Sequence, residues 1–200
     1  LTWIKRLNTT GGNMWTDVIR GVTNIIVSNE NSATQTVANG LTAFDTDGFT
    51  VGSESGFNAS SDTFTSFSWK AANSQGSSNT DGSTNTTYTS VNTTAGFSIS
   101  TYEGTGSNAT FGHGLGVTPA MVLVKNIDAT QNWFMYHQGI GATQLIRLNS
   151  TAAKLSSSVS WNNTAPTSSV VSIGTESGTN ANGQTHVAYC FAEKKGYSKF

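Results

Sequence analysis

Two hundred residues carry a formal net charge of −1, with 10% charged and 36% hydrophobic residues. That composition excludes a salt-bridged helical bundle, a charged disordered tail and a chain presenting the basic field that nucleic acid or anionic membrane requires. Thr, Ser, Asn and Gly fill 31, 26, 19 and 21 positions, yet 10% of the chain is aromatic, too much for a disordered linker.

Strand-forming residues come in short runs between Gly, Asn and Ser clusters. In chain order the runs predict strands at Thr2–Leu7, Trp15–Arg20, Asn24–Ser28, Phe49–Gly52, Thr63–Trp69 and Thr86–Val91. They continue at Phe97–Tyr102, Met121–Asn126, Trp133–His137, Gln144–Leu148, Val170–Ile173 and His186–Ala192. So many short strands with frequent turn residues predict an all-β fold, an antiparallel β-sandwich of jelly-roll or lectin-like kind. Thr151–Leu155 is the one helix-like stretch, and it is short. No apolar run approaches the roughly 20 residues of a membrane span. The chain opens without Met, in Leu1-Thr2-Trp3-Ile4, with no signal peptide ahead, and it stops at Phe200. Both ends read as cuts in a longer polypeptide or as processed ends.

The sequence repeats itself. Thr2-Trp3-Ile4-Lys5 aligns with Val122-Leu123-Val124-Lys125 at an offset of 120, which also sets Gly21 on Gly141 and Asn29 on Asn149. Two residues further apart, Gly52-Ser53-Glu54-Ser55-Gly56-Phe57-Asn58-Ala59 aligns with Gly174-Thr175-Glu176-Ser177-Gly178-Thr179-Asn180-Ala181, identical at six of eight positions. The match runs on through Thr63 on Thr185, Phe67 on Tyr189 and Trp69 on Phe191. Two related copies of one module therefore share the chain. Residues 1–72 hold a first copy truncated at its front, and 73–95 a Ser/Thr/Asn-rich connector with one strand. Residues 96–195 hold the second copy. Gly196-Tyr197-Ser198 resembles Gly96-Phe97-Ser98, so 196–200 reads as the start of a further copy. The repeat predicts the same strands in the same order over 2–29 and 122–149, and over 49–69 and 171–191.

Longer motifs carry a family resemblance. They are Trp3-Ile4-Lys5, Arg20-Gly21-Val22-Thr23 and Thr42-Ala43-Phe44-Asp45-Thr46-Asp47-Gly48-Phe49-Thr50-Val51-Gly52. Thr93 to Ile99, Gly112-His113-Gly114-Leu115-Gly116-Val117-Thr118-Pro119, and Trp161 to Val170 leading to Tyr189-Cys190-Phe191-Ala192-Glu193 belong with them. These resemble a tandem domain of unknown function in structural proteins of marine bacteriophages, notably those of cyanobacteria, where it stands beside lectin-like sandwich domains in tail, fibre or other virion components. The first copy lacks the Gly-His-Gly-Leu-Gly segment.

Candidate chemistry is sparse. Glycan hydrolysis needs two carboxylates across roughly 5–10 Å. Glu54 and Glu176 are the best pair, but a repeat duplicates structural positions, and both acids suit turns in which a carboxylate accepts backbone N–H groups. Asp45-Thr46-Asp47-Gly48 resembles the opening of a calcium loop, yet its Gly comes too early and Glu54 sits at the wrong spacing, so an Asp–Gly turn is expected. His113, His137, His186 and the single Cys190 lack metal-ligand spacing, and one cysteine forms no internal disulfide. Gly52-Ser53-Glu54-Ser55-Gly56 is no nucleophile elbow, Gly114-Leu115-Gly116 is no phosphate loop, and Cys190 between Tyr189 and Phe191 reads as a buried thiol. Trp133, Tyr136 and Trp161 are the candidates for stacking on sugar rings, against a reading of all three as core.

No catalytic, cofactor-binding or metal site is therefore expected, and no enzyme activity. The resemblance implies a structural component of a phage virion, exposed outside the cell on a tail, fibre or surface appendage. Its partners would be further copies of itself or other virion proteins, with no nucleic acid and no membrane insertion. The alternative is a carbohydrate-binding adhesin that contacts a host-surface glycan. A polysaccharide depolymerase is the third reading and the least supported.

Overall fold

The computed structural model describes residues 1–200. It is an all-β sandwich whose two main sheets, of five and seven strands, are antiparallel throughout. The smaller sheet runs β4-β3-β2-β1-β7, from β1 (Thr2–Arg6), β2 (Asn13–Thr16), β3 (Asn24–Val27), β4 (Gln35–Thr36) and β7 (Phe64–Ser68). Between β4 and β7 lie the hairpin β5 (Leu41–Phe44) and β6 (Phe49–Val51) and one helical turn, α1 (Ser55–Asn58).

The larger sheet runs β14-β13-β12-β11-β16-β9-β8. Its members are β8 (Thr86–Asn92), β9 (Phe97–Glu103), β11 (Met121–Asn126), β12 (Phe134–His137), β13 (Gln144–Arg147), β14 (Leu155–Ser156) and β16 (Thr185–Phe191). β10 (Ala109–Gly112) pairs with β15 (Val170–Ile173) as a separate ribbon, and α2 (Ser177–Asn180) precedes β16.

The five strands of the small sheet and their later counterparts pair identically. Trp3 faces Trp15 as Leu123 faces Met135, and Ile25 faces Gln35 as Leu145 faces Leu155. Trp3 faces Phe67 as Leu123 faces Tyr189, the offset on the returning strand being 122. The sheets differ at one edge only. β16 is followed by β9 and β8, whereas nothing follows β7.

Strand alternation sorts the side chains into three apolar layers. Trp3, Trp15 and Ile26 point to one face of the small sheet and meet Phe97, Ile99, Leu123, Trp133, Val187, Tyr189 and Phe191 of the large one. Ile4, Ile25 and Val27 point the other way, under Leu41 and Phe57 from the β5 hairpin and α1. On the far side of the large sheet, Val122, Val124, Phe134 and Cys190 lie beneath Phe111, Val171, Ile173 and Trp161. Each such large side chain, fully buried, is worth roughly 1.5–3 kcal/mol. The middle layer joins the two halves of the chain into one core.

Local chemistry overrides the strand expectation in places. The predicted strand Trp15–Arg20 stops at Thr16, because the Asp17 carboxylate accepts the N–H groups of Ile19 and Arg20 at 3.0 Å each and turns the chain. The helix-like Thr151–Leu155 holds no helix and leads into β14. Asp45 to Gly48 is the turn of the β5–β6 hairpin, closed by Asp45 N–H on Gly48 O at 2.9 Å.

Candidate functional site

The octapeptide repeated at 52–59 and 174–181 is a docking clasp for α1 and α2. Glu54 N–H donates to Asn39 O at 2.9 Å, and Glu176 N–H to Val159 O at 3.1 Å. Asn58 Nδ2 donates to Gly52 O at 3.0 Å, and Asn180 Nδ2 to Gly174 O at 2.7 Å. A methyl on Gly52 or Gly174 would stand 2.5 Å from Asn39 O or 2.1 Å from Val159 O, so only glycine lets these backbones touch. The two carboxylates, expected to accept backbone N–H groups, cap no N–H of their helical turns. Their roles run through the main chain, and this accounts for the shared motif without chemistry at the acids.

The most concentrated charge lies where the two sheets meet. Asp17 and Arg20, both in the turn after β2, form an ion pair with Nε 2.6 Å from Oδ2. Tyr189 of β16 donates its hydroxyl to the same Oδ2 at 2.6 Å. Arg20 also donates to Trp15 O and Asn24 O, each at 3.1 Å, and to the Tyr189 hydroxyl oxygen at 3.4 Å. Burial alone would raise the Asp17 pKa, but Arg20, the Tyr189 hydroxyl and the backbone N–H of Arg20 outweigh it and hold the carboxyl below 3.8. Burial drives the Tyr189 phenol well above its ordinary value. Every polar atom here that carries charge is turned inward and partnered, which is the arrangement of a structural junction.

Lys125, His113 and His186 are buried and partnered too, whereas Trp15 Nε1, Thr16 Oγ1, Ser98 Oγ and Trp161 Nε1 are buried with no hydrogen-bond partner. Lys125 is fully enclosed and gives Nζ to Asn126 O at 2.7 Å, with Asn31 O and Ala129 O at 3.4 Å; burial lowers its pKa to about 8. His113 accepts Leu115 N–H at Nδ1 and meets Thr167 O through Nε2, each at 3.2 Å. His186 stacks on Tyr102 at 5.3 Å and meets Gln184 O at 2.9 Å. Burial lowers both imidazoles below 6.5, against the smaller opposing pull of those carbonyls. Burial also pushes the Cys190 thiol up to about 12.

The aromatic candidates need correction. Trp133 is 0% exposed, Tyr136 4% and Trp161 1%. Trp133 packs edge-on against Trp15 at 5.2 Å and donates Nε1 to Val27 O at 3.1 Å. Tyr136 and Trp161 meet edge-to-face at 6.1 Å under the β10–β15 ribbon. No sugar ring reaches any of them without opening the core.

The half-exposed aromatics lie elsewhere. A groove of about 690 Å³ runs between the β5–β6 turn and the end of β7, lined by Phe44, Asp45, Asp47, Phe49, Trp69 and Lys70 among others. Trp69 and Asp45 were visible in the sequence as residues, but their meeting depends on how the hairpin folds over the small sheet. Only Asp–Gly turn chemistry beside a strand end hinted at it.

The chain belongs to the family described as Domain of unknown function (DUF7483), which matches residues 1–200. No curated protein and no solved structure matches the chain.

Proposed function

We propose that this chain, a member of the DUF7483 family, is a non-enzymatic structural component of a phage virion, carried on a tail, fibre or surface appendage and exposed outside the cell. One observation carries the reading. The sheet β4-β3-β2-β1-β7 recurs, pair for pair, within the larger sheet, and building by repeated sandwich units yields an extended rigid object. The neutral Ser, Thr and Asn surface supports it, because its solvation depends little on ionic strength. The phage assignment rests on the motif resemblance. Its partners are other virion proteins and further copies of the chain. Antibody labelling of purified particles, read by electron microscopy, tests it: decoration of a tail or appendage supports the assignment, and bare particles from cells that make the protein overturn it.

A carbohydrate-binding role is the second reading, and the groove beside Trp69 favours it. A half-exposed indole next to Asp45, Asp47 and Lys70 is the chemistry of shallow sugar recognition. A glycan array probed with the protein and with Asp47→Ala tests it. Binding that is lost in the variant supports the role, and an array without signal removes it.

A further inference from the structure

Four of the five tryptophans share the middle layer between the two sheets. Trp15 is their hub. Its ring centroid lies 6.1 Å from Trp3, 6.5 Å from Trp69, 5.2 Å from Trp133 and 5.3 Å from Tyr189. Trp3 and Trp69 are half-buried, and Trp69 borders the groove, whereas Trp15, Trp133 and Tyr189 are enclosed. Rings in contact thus lead from the surface to the centre of the core, and they differ in what becomes of a proton. An oxidised indole or phenol settles as a neutral radical only when a base takes its proton. Trp3 Nε1 and Trp15 Nε1 are buried without a hydrogen-bond partner, and Trp133 Nε1 donates to Val27 O at 3.1 Å. A backbone carbonyl is too weak a base to take that proton. Tyr189 does face a base, for its hydroxyl donates to Asp17 Oδ2 at 2.6 Å. Arg20 keeps that carboxylate ionised and stands 3.4 Å from the phenol oxygen, ready to donate to it once the proton has left. The other fully buried tyrosine, Tyr102, lies in a different layer and donates to the carbonyl Thr179 O at 2.6 Å. Buried donors are rarely left unpaired, and the bare Trp15 Nε1 suits a ring that passes an electron without losing its proton.

We infer that this cluster is an electron relay, which carries a one-electron oxidation from the half-buried Trp69 through Trp15 to Tyr189. The oxidant is a one-electron radical or metal-centred species in the surrounding water. It takes one electron from the Trp69 indole and is itself reduced, leaving an indole radical cation. Trp15 passes an electron to Trp69, and Tyr189 passes one to Trp15. In the last step the Tyr189 O–H bond breaks and the proton goes to Asp17 Oδ2. A neutral tyrosyl radical then stands beside a protonated carboxyl. A phenol that gives up its electron and proton together is oxidised more easily than an indole that keeps its proton, so the transfer runs downhill. Both indoles are restored. The radical is held at a ring that is 0% exposed, away from reagents in the water.

Flash photolysis tests the relay. A ruthenium(II) tris-bipyridine complex with persulfate supplies the ruthenium(III) oxidant, and transient absorption with freeze-quench electron paramagnetic resonance identifies the radical. The chain used carries Tyr88→Phe and Tyr197→Phe, because both tyrosines are exposed and would react directly. A tryptophanyl signal should convert to a tyrosyl signal, at a rate independent of buffer concentration because the base is Asp17. Adding Tyr189→Phe should keep the circular dichroism and leave the tryptophanyl signal alone. Adding Trp15→Phe instead keeps a ring at the hub, but one that resists oxidation, and the tyrosyl signal should be lost. A radical that stays on tryptophan while Trp15 and Tyr189 are both present overturns the relay. So does a tyrosyl signal that survives Tyr189→Phe or Trp15→Phe. A conversion that speeds up with buffer concentration overturns Asp17 as the proton acceptor.

Discussion

Tyr189 Oη lies 2.6 Å from Asp17 Oδ2, although 172 residues separate them. The bond ties the turn after β2 to the centre of the seven-stranded sheet, and Trp15 rests edge-on against the same Tyr189 ring at 5.3 Å. Asp17 thus closes its own turn through Oδ1, holds Arg20 through Oδ2 and reaches the opposite sheet through the tyrosine. The position aligned with Asp17 is His137, which caps its turn in the same way, accepting Gly139 N–H at Nδ1 at 3.0 Å. The turn is common to both sheets, and the buried charge was placed on only one of them.

Removing the hydroxyl by Tyr189→Phe should lower stability by roughly 1.5–3 kcal/mol, the range for a hydrogen bond to a charged group. Asp17→Ala should cost more, about 3–5 kcal/mol, because it leaves the Arg20 guanidinium buried and unpaired. Urea unfolding followed by tryptophan fluorescence measures both. Equal losses in the two variants would show that Arg20 finds another partner.

Acid should weaken the fold in two stages. His113 and His186 are held neutral below their ordinary 6.5 by burial, so the unfolded chain binds protons that the folded chain refuses. Their stabilisation is full above the unfolded value and falls as the pH drops beneath it, by at most roughly 1.4 kcal/mol per pH unit for each group. Asp17, held below 3.8 by Arg20 and Tyr189 against its burial, adds a second loss further down, as the pH falls through its folded value. Urea midpoints measured from neutral pH downward should begin to fall below 6.5. A flat profile until carboxylates titrate would show that both imidazoles reach water.

Cys190 should be silent in the folded chain. It is 0% exposed, and burial pushes its thiol up to about 12, against a smaller pull from Ser98. At about pH 8 almost no thiolate exists to attack a disulfide reagent, so labelling waits for opening of β16. The reaction with a chromogenic disulfide should be slow in buffer and fast in urea. Labelling in buffer at the rate of a free cysteine would contradict the packing of β16 beneath the ribbon.

What the sequence disclosed follows from the range of each interaction. The alternation of Val122, Leu123, Val124 is local, so β11 was legible, and the fixed offset made its likeness to β1 legible too. Asp17 ends β2 through bonds two and three residues away, which residue preference for strands does not register. α1 and α2 are single turns with no apolar period to reveal them. Trp133 and Trp161 are large aromatics either way, and their burial depends on Val27 in the other sheet and on the β10–β15 ribbon, neither of them near in sequence.

Gly56 and Gly178 occupy one position of the repeated octapeptide, yet they should respond differently to alanine. A methyl at Gly178 would stand 1.9 Å from the Phe134 ring, which is 2% exposed and hemmed in by the layer beneath the ribbon. At Gly56 the neighbour is Met14 Cε at 3.0 Å, the tip of a flexible and half-buried side chain. Phe134 cannot move aside without displacing its neighbours, so Gly178→Ala should cost about 1–3 kcal/mol as overpacking. Met14 can rotate away, and alanine is the better residue inside a helical turn by roughly 0.5–1 kcal/mol, so Gly56→Ala should be neutral or slightly stabilising. Urea midpoints of the two variants provide the measurement. The same loss at both sites would mean that the glycines answer to the backbone of the clasp rather than to the side chains of β2 and β12.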